Sequence, residues 1–163
     1  MMKIRALTGQ DRSVVLDMIH SLGIFTREEE LVAAELIDSY LSRPDQQDYI
    51  INVAENEHHA VVGYVCYGPK HVADGVFDIY WLAVSSGVHR QGYGRRLVQF
   101  TETKIRERNG RLVVIETSSG EKYAPARALY ERTGYAALAR IGDFYRPGED
   151  LLIYCKYLKP EDA

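Results

Sequence analysis

Apolar positions recur along the chain with two periods, and the switches between them mark out alternating strands and helices. Residues 2–7 alternate as a short strand does. Over residues 11–21 the spacing lengthens, so that Val14, Val15, Met18 and Ile19 form the apolar face of a helix. Thr26 and Glu29 then stand three apart ahead of a second helical pattern, which is the spacing of a capping box. That helix is expected to run to about residue 41, to bury Leu31, Val32, Ala34, Leu36 and Ile37, and to stop at Pro44-Asp45. Residues 49–55 and 60–67 flank the polar turn Asn56-Glu57-His58-His59 and predict an antiparallel hairpin, ended by Gly68-Pro69-Lys70.

Residues 77–84, FDIYWLAV, are an apolar run rich in aromatic and β-branched side chains, broken only by Asp78. A glycine-punctuated turn follows, and from residue 94 a helix places Leu97, Val98, Phe100 and Thr101 on one side. Asn109-Gly110 closes it, and residues 111–117 read as the next strand. A strand, helix and strand in this order imply parallel neighbours joined by a right-handed crossover. Pro125 sits in the first turn of a helix that runs through residue 132 and ends at Gly134. Residues 135–141 and 151–157 make a last hairpin across Tyr145-Arg146-Pro147-Gly148. No repeat, low-complexity tract or linker interrupts the series, so one domain over 1–163 is expected.

Composition narrows this picture only moderately. The 163 residues are 46% hydrophobic and 26% charged, as in an ordinary globular chain long enough for one α/β core. A net charge of −3 offers no dominant basic face, which argues against nucleic acid as the main partner. The first residues have no apolar stretch and no run approaches the length of a membrane span, so a cytoplasmic location and no membrane partner are expected. Cys66 and Cys155 lie far apart in apolar segments and read as reduced thiols. The five histidines show no metal-ligand spacing, so no metal is expected.

The chemistry concentrates after the FDIYWLAV run. In His89-Arg90-Gln91-Gly92-Tyr93-Gly94 the two glycines leave backbone amides uncovered at the start of a helix, where orphan donors and the helix dipole attract an anion. Arg90, Arg95 and Arg96 add formal charge at the same point. The turn is neither GxGxxG nor GxxxxGK[ST], so the dinucleotide and nucleoside-triphosphate fingerprints both fail. It does resemble motif A of the GNAT superfamily of N-acetyltransferases, [Q/R]-x-x-G-x-[G/A] after a strand, with His89 standing where the family has Gln or Arg. A second segment supports the resemblance. The family's N-x-x-A-x-x-L-Y-x-x-x-G-[F/Y] is matched at Ala126, Leu129, Tyr130, Gly134 and Tyr135, with Tyr123 in place of Asn.

The resemblance covers nearly the whole chain and implies an α/β (α+β) fold: a mixed sheet of about seven strands with four helices, in the order β-α-α-β-β-β-α-β-α-β-β. It implies transfer of an acetyl group from acetyl-CoA to a primary amine by direct attack in a ternary complex. Backbone groups of Leu82, Ala83 and Val84 would hold the pantetheine and thioester. The stretch His89, Arg90, Gln91, Gly92, Tyr93, Gly94 and Arg95 would hold the pyrophosphate, with Tyr123 and Arg127 also on the coenzyme. Tyr130 matches the family's frequent general acid. The alternatives of the same resemblance are transfer of another acyl group and a CoA-binding regulatory module without turnover.

An amine of pKa 10.4 is only about one part in a thousand neutral at pH 7.4, so a base is useful. Asp78, a carboxylate inside an apolar strand, is the leading candidate; its plain alternative is a salt bridge to a nearby cation. Glu116 has a similar claim, its alternative being to orient the acceptor amine. Tyr130 has its own plain alternative, a tyrosine packed in a groove with its hydroxyl bonded to a carbonyl. Phe25, Phe144 and Tyr145 are candidates to line the acceptor mouth. Small amines, amino acids, antibiotics, polyamines and peptide amines all remain open as acceptors, and the C-terminal hairpin offers an edge for a homodimer.

Overall fold

The computed structural model describes residues 2–159. Its elements follow the expected order. They are β1 (Lys3–Ala6), α1 (Arg12–Ser21), α2 (Arg27–Ser42), β2 (Ile50–Glu55), β3 (Val61–Pro69), β4 (Val76–Val84), α3 (Tyr93–Arg106), β5 (Leu112–Ser118), α4 (Ala124–Arg132), β6 (Ala136–Arg146) and β7 (Glu149–Tyr157). The strands form one mixed sheet in the order β1-β2-β3-β4-β5-β7-β6. β4 and β5 pair in parallel, as a crossover through α3 requires, while β1/β2, β2/β3, β5/β7 and β6/β7 pair antiparallel. No helix among the described residues is long and apolar enough to cross a membrane.

The chain divides into two compact units, and β4 and α3 each contribute to both. In the first unit, Met1–Gly68 with Trp81–Leu97, α1 and α2 bury Val15, Met18, Ile19, Ala33 and Ile37 against Ile51, Val53, Tyr64, Cys66 and Ala83 of the sheet. The capping box forms as expected: Glu29 N donates to Thr26 Oγ1 at 3.2 Å and Thr26 N donates to Glu29 Oε2 at 2.7 Å. The buried stripe of α2 is narrower than its apolar content suggested. Ala33 and Ile37 are covered, but Leu31 and Val32 are 56% and 49% exposed, and Val14 of α1 is 45% exposed. Leu31 and Val32 lie about 200° and 100° around the helix from Ala33, so a single stripe cannot take all three.

Two further contacts tie this unit together. Phe25, in the connection between α1 and α2, packs on Trp81 of β4 with ring centres 4.6 Å apart. Arg5 donates to both Asp11 oxygens, at 2.7 and 2.9 Å, and to Glu55 at 2.5 Å.

The second unit comprises Pro69–Tyr80 with Val98–Ala163. Phe77, Ile105, Val113, Ile115, Tyr130, Tyr135, Leu151 and Tyr154 are among its buried apolar residues. Gly110 is required after α3, because a Cβ there would collide with Ile105 and press on Phe77. The last hairpin is longer than its sequence pattern suggested, since β6 continues to Arg146. The pairing is irregular between Ile141 and Arg146, where Asp143 takes a positive φ of 51°. All eleven β6 residues are exposed, so this edge strand lacks the one-sided burial that makes alternation legible.

Candidate active site

In the first unit, β4 runs out through Leu82, Ala83 and Val84 into a turn. Ser85 N still donates to Val62 O at 2.8 Å, so the β3 edge accompanies β4 to its end. One turn of 3-10 helix over Ser86–Val88 follows, and α3 begins at Tyr93. Between them Arg90 and Gly92 take left-handed conformations, φ 62° and 85°. Nothing lies within 4 Å of where a Gly92 Cβ would sit, so the glycine is there for its backbone and leaves open space beside it. Arg96 N donates to Gly92 O at 3.0 Å as the first helical bond. The amides of Tyr93, Gly94 and Arg95 precede it and have no acceptor four residues back. With the helix dipole and the exposed Arg90 and Arg95 they make a cradle of the kind that suits an anion.

Two of the expected ligand groups are engaged within the turn itself. His89 Nε2 donates to Val84 O at 2.8 Å, which fixes the tautomer with hydrogen on Nε2. The residue that departs from the family pattern therefore braces the end of β4. Gln91 N donates to Val88 O at 3.4 Å, so its amide is turned into the loop and away from the cradle.

In the second unit, the parallel β4/β5 ladder runs from Val76 opposite Leu112 to Asp78 opposite Val114 and ends there. Both strands continue past that point, to Tyr80 within this unit on β4 and through Glu116 on β5. Asp78 is buried, and Lys70 Nζ lies 3.0 Å from its Oδ2. Glu116 is exposed between the buried Ile115 and Thr117. On the antiparallel side Ile115 opposes Tyr154 and Glu116 opposes Ile153. The Tyr154 ring centre lies 5.8 Å from that of Tyr130 on α4. Since side chains alternate along a strand, Glu116 and Tyr130 lie on opposite faces of β5.

Tyr130 is 6% exposed and also meets Tyr135 edge-on, with ring centres 6.3 Å apart. Burial, reinforced by Tyr154, pushes its phenol up to about 12, so it is a protonated donor throughout the physiological range. Tyr154 in turn donates its hydroxyl to Glu131 Oε1 at 3.0 Å. Arg127 donates through Nη1 to the carbonyls of Ser118 and Gly120, at 2.8 and 2.7 Å, and so staples the β5–α4 turn. Tyr123 sits at the N-cap of α4, with its amide donating to Gly120 O at 3.0 Å. Phe144 and Tyr145 pack edge to face, 5.0 Å between centres, on exposed β6. Among the described residues, no three His, Cys, Asp or Glu side chains are grouped to hold a metal ion.

Sequence reasoning missed Lys70 as the partner of Asp78, and it missed a half-buried ion pair between Lys156 of β7 and the buried Glu102 of α3. Lys156 donates to both carboxylate oxygens at 2.8 Å. The signal was present: Lys156 is a lone cation in the apolar run LLIYCKY, as Asp78 is a lone anion in FDIYWLAV.

Residues 16–135 match the model of the Acetyltransferase (GNAT) family. The fold is shared by a GNAT-family protein from Desulfovibrio desulfuricans at 37% identity, with TM-score 0.90 over 96% of this chain and 99% of that one. It is also shared by a ribosomal-protein-alanine N-acetyltransferase from Brucella melitensis at 25% identity, with TM-score 0.77 over 96% and 99%. A Salmonella typhimurium protein solved with acetyl-CoA has the same fold at 18% identity, with TM-score 0.73 over 100% and 97%. No curated protein matches the chain by sequence.

Proposed function

The chain belongs to the GNAT acetyltransferase family, and from that premise we propose that it transfers the acetyl group of acetyl-CoA to a primary amine by direct attack in a ternary complex. Acetyl-CoA fits as the donor because the motif-A turn supplies what its pyrophosphate needs: consecutive helix-start amides, open space beside Gly92 and two arginines. Residues 90 and 92–95 hold that pyrophosphate, and backbone groups of β4 from Leu82 to Val84 hold the pantetheine and thioester. Acetyl-CoA supplies an acetyl carbon already activated as a thioester.

The observation that carries the reading is the placement of Glu116 and Tyr130 on opposite faces of β5, where the β4/β5 ladder has ended. Glu116 takes a proton from the amine as the carbon–nitrogen bond forms. Tyr130 offers its hydroxyl hydrogen to sulfur as the carbon–sulfur bond breaks. With a phenol near 12, Tyr130 works as a hydrogen-bond donor to the developing thiolate, and solvent completes the protonation. Asp78 is assigned to structure, because Lys70 already holds it. The similarity to a ribosomal-protein-alanine N-acetyltransferase adds alanine-terminated peptides to the acceptors worth testing. Two unpaired cysteines suit a reducing compartment, and we place the enzyme in the cytoplasm.

The test is release of free coenzyme thiol from acetyl-CoA with a panel of small amines, polyamines, amino acids and alanine-terminated peptides. Release matched mole for mole by acetylated amine is expected with at least one class. Tight CoA binding with no turnover across the panel overturns the catalytic reading in favour of a binding module.

A further inference from the structure

Lys156 is placed to do more than neutralise a buried carboxylate. Its ammonium has three hydrogens and three acceptors: the two oxygens of Glu102, and the Thr133 carbonyl at 2.8 Å. Thr133 caps the C-terminus of α4, where carbonyls lack helical partners and the dipole is negative, so a cation from β7 closes that end. The Lys156 stem runs beside Gly134, whose missing Cβ would sit 3.5–3.9 Å from it, and the ammonium lies 5.5 Å from the centre of the Tyr135 ring.

The same groups enclose Tyr130. Tyr135 N donates to Tyr130 O at 3.0 Å, and Thr133 Oγ1 donates to the carbonyls of Leu129 and Tyr130. On β7, Tyr154 and Lys156 are two residues apart and share a face. One packs on the Tyr130 ring while the other fixes the last turn of its helix. The Glu102 side chain is only 5% exposed. Lys156 is 25% exposed and Arg106 Nη2 also lies 3.7 Å from Glu102 Oε2, so Lys156 adds little net stability and its particular product is location.

We propose that Lys156 is the positioning residue for Tyr130, holding the C-terminal turn of α4 so that the phenol hydroxyl stays aimed at the leaving sulfur. This rests on the reading of Tyr130 as hydrogen donor. Lys156 touches neither substrate in this role and acts only through the tyrosine.

A double-mutant cycle tests it in the full chain, with Lys156→Met, Tyr130→Phe and their combination assayed for kcat and for the KM of acetyl-CoA. Lys156→Met is expected to lower kcat by about 10- to 100-fold, the scale of a misplaced catalytic group. It should leave KM within about twofold and cause no further loss in the Tyr130→Phe background. Lys156→Arg, which keeps the charge, should recover part of the rate. If Lys156→Met does not fold, Glu102→Gln with Lys156→Met leaves no buried charge alone and carries the same comparison. Parental kcat in Lys156→Met, or a loss that multiplies fully with that of Tyr130→Phe, overturns the positioning role alone. Parental kcat in Tyr130→Phe overturns the donor reading itself, and the inference with it.

Discussion

Lys70 Nζ stands 3.0 Å from Asp78 Oδ2, so the carboxylate that interrupts the most apolar strand is half of an ion pair. Its cation is 43% exposed and can return to water if abandoned. Asp78→Asn should therefore cost about 1 kcal/mol of stability, well under the penalty for orphaning a fully buried charge. It should leave kcat within about threefold of the parent, whereas Glu116→Gln should lower it about 10²- to 10⁴-fold, with partial recovery at high pH where more acceptor amine is free. Thermal melts and kcat–pH profiles of both variants check the contrast. A collapse of kcat in Asp78→Asn alone would exchange the two roles.

Tyr130 makes a prediction at alkaline pH. Its phenol is raised from 10 to about 12, chiefly by burial. A raised folded pKa contributes stability that is complete below pH 10 and is lost as pH climbs toward 12, because only the unfolded chain ionises in that window. The loss amounts to about 2–3 kcal/mol at 1.36 kcal/mol per unit. Tyr130→Phe should flatten that part of the stability–pH curve, as read by urea unfolding at pH 9 to 12. An identical slope in parent and variant would mean that the ring is hydrated.

The acid limb belongs to Asp11. The Arg5 guanidinium, bonded to both its oxygens, lowers the carboxyl from 3.8 to about 2, with Thr8 helping. A lowered folded pKa contributes stability present above pH 3.8 and lost as pH falls through 2. Asp11→Asn should remove about 2 kcal/mol at neutral pH and little below pH 2. Chemical denaturation across pH 2 to 7 measures this, and equal losses at both ends would rule out the ionic account.

Gly92 tests the anion cradle. With φ at 85° and open space beyond its missing Cβ, a substitution meets strain and no collision. Gly92→Val should cost about 1–2 kcal/mol of backbone energy or else reshape the turn. Either way, CoA affinity should fall at least about tenfold, equivalent to 1.4 kcal/mol, while melting falls by a few degrees. Calorimetric titration with CoA decides the matter, since unchanged affinity in a folded variant would remove the turn from phosphate binding.

Elements with a one-sided environment were legible before the structure. The capping box at Thr26, the apolar run of β4 and the glycine turn after it each follow from local chemistry and appear where expected. β6 was legible only in part, because an edge strand exposed along its whole length imposes no alternation on Leu138, Ile141 and Phe144. Leu31 and Val32 misled for the opposite reason: apolar residues spread around a helix do not reveal which stripe the sheet will cover. At the candidate site, Asp78 and Glu116 looked alike in one dimension. In the structure Asp78 is buried beside Lys70, a cation just after β3, while Glu116 is exposed. Long-range partners of this kind, Lys156 with Glu102 among them, leave no periodic trace.

The Trp81–Phe25 contact also gives the chain a built-in optical label. Trp81 is its one tryptophan and belongs to the first unit, while Tyr130, Tyr135 and Tyr154 cluster in the second. Light at the red edge of the absorption band excites the indole alone and reports on the α1–α2 connection against β4. The tyrosine band draws on both units, with seven of the twelve tyrosines in the second. Unfolding followed at both wavelengths thus tells, without any introduced dye, whether the two units melt together or in sequence.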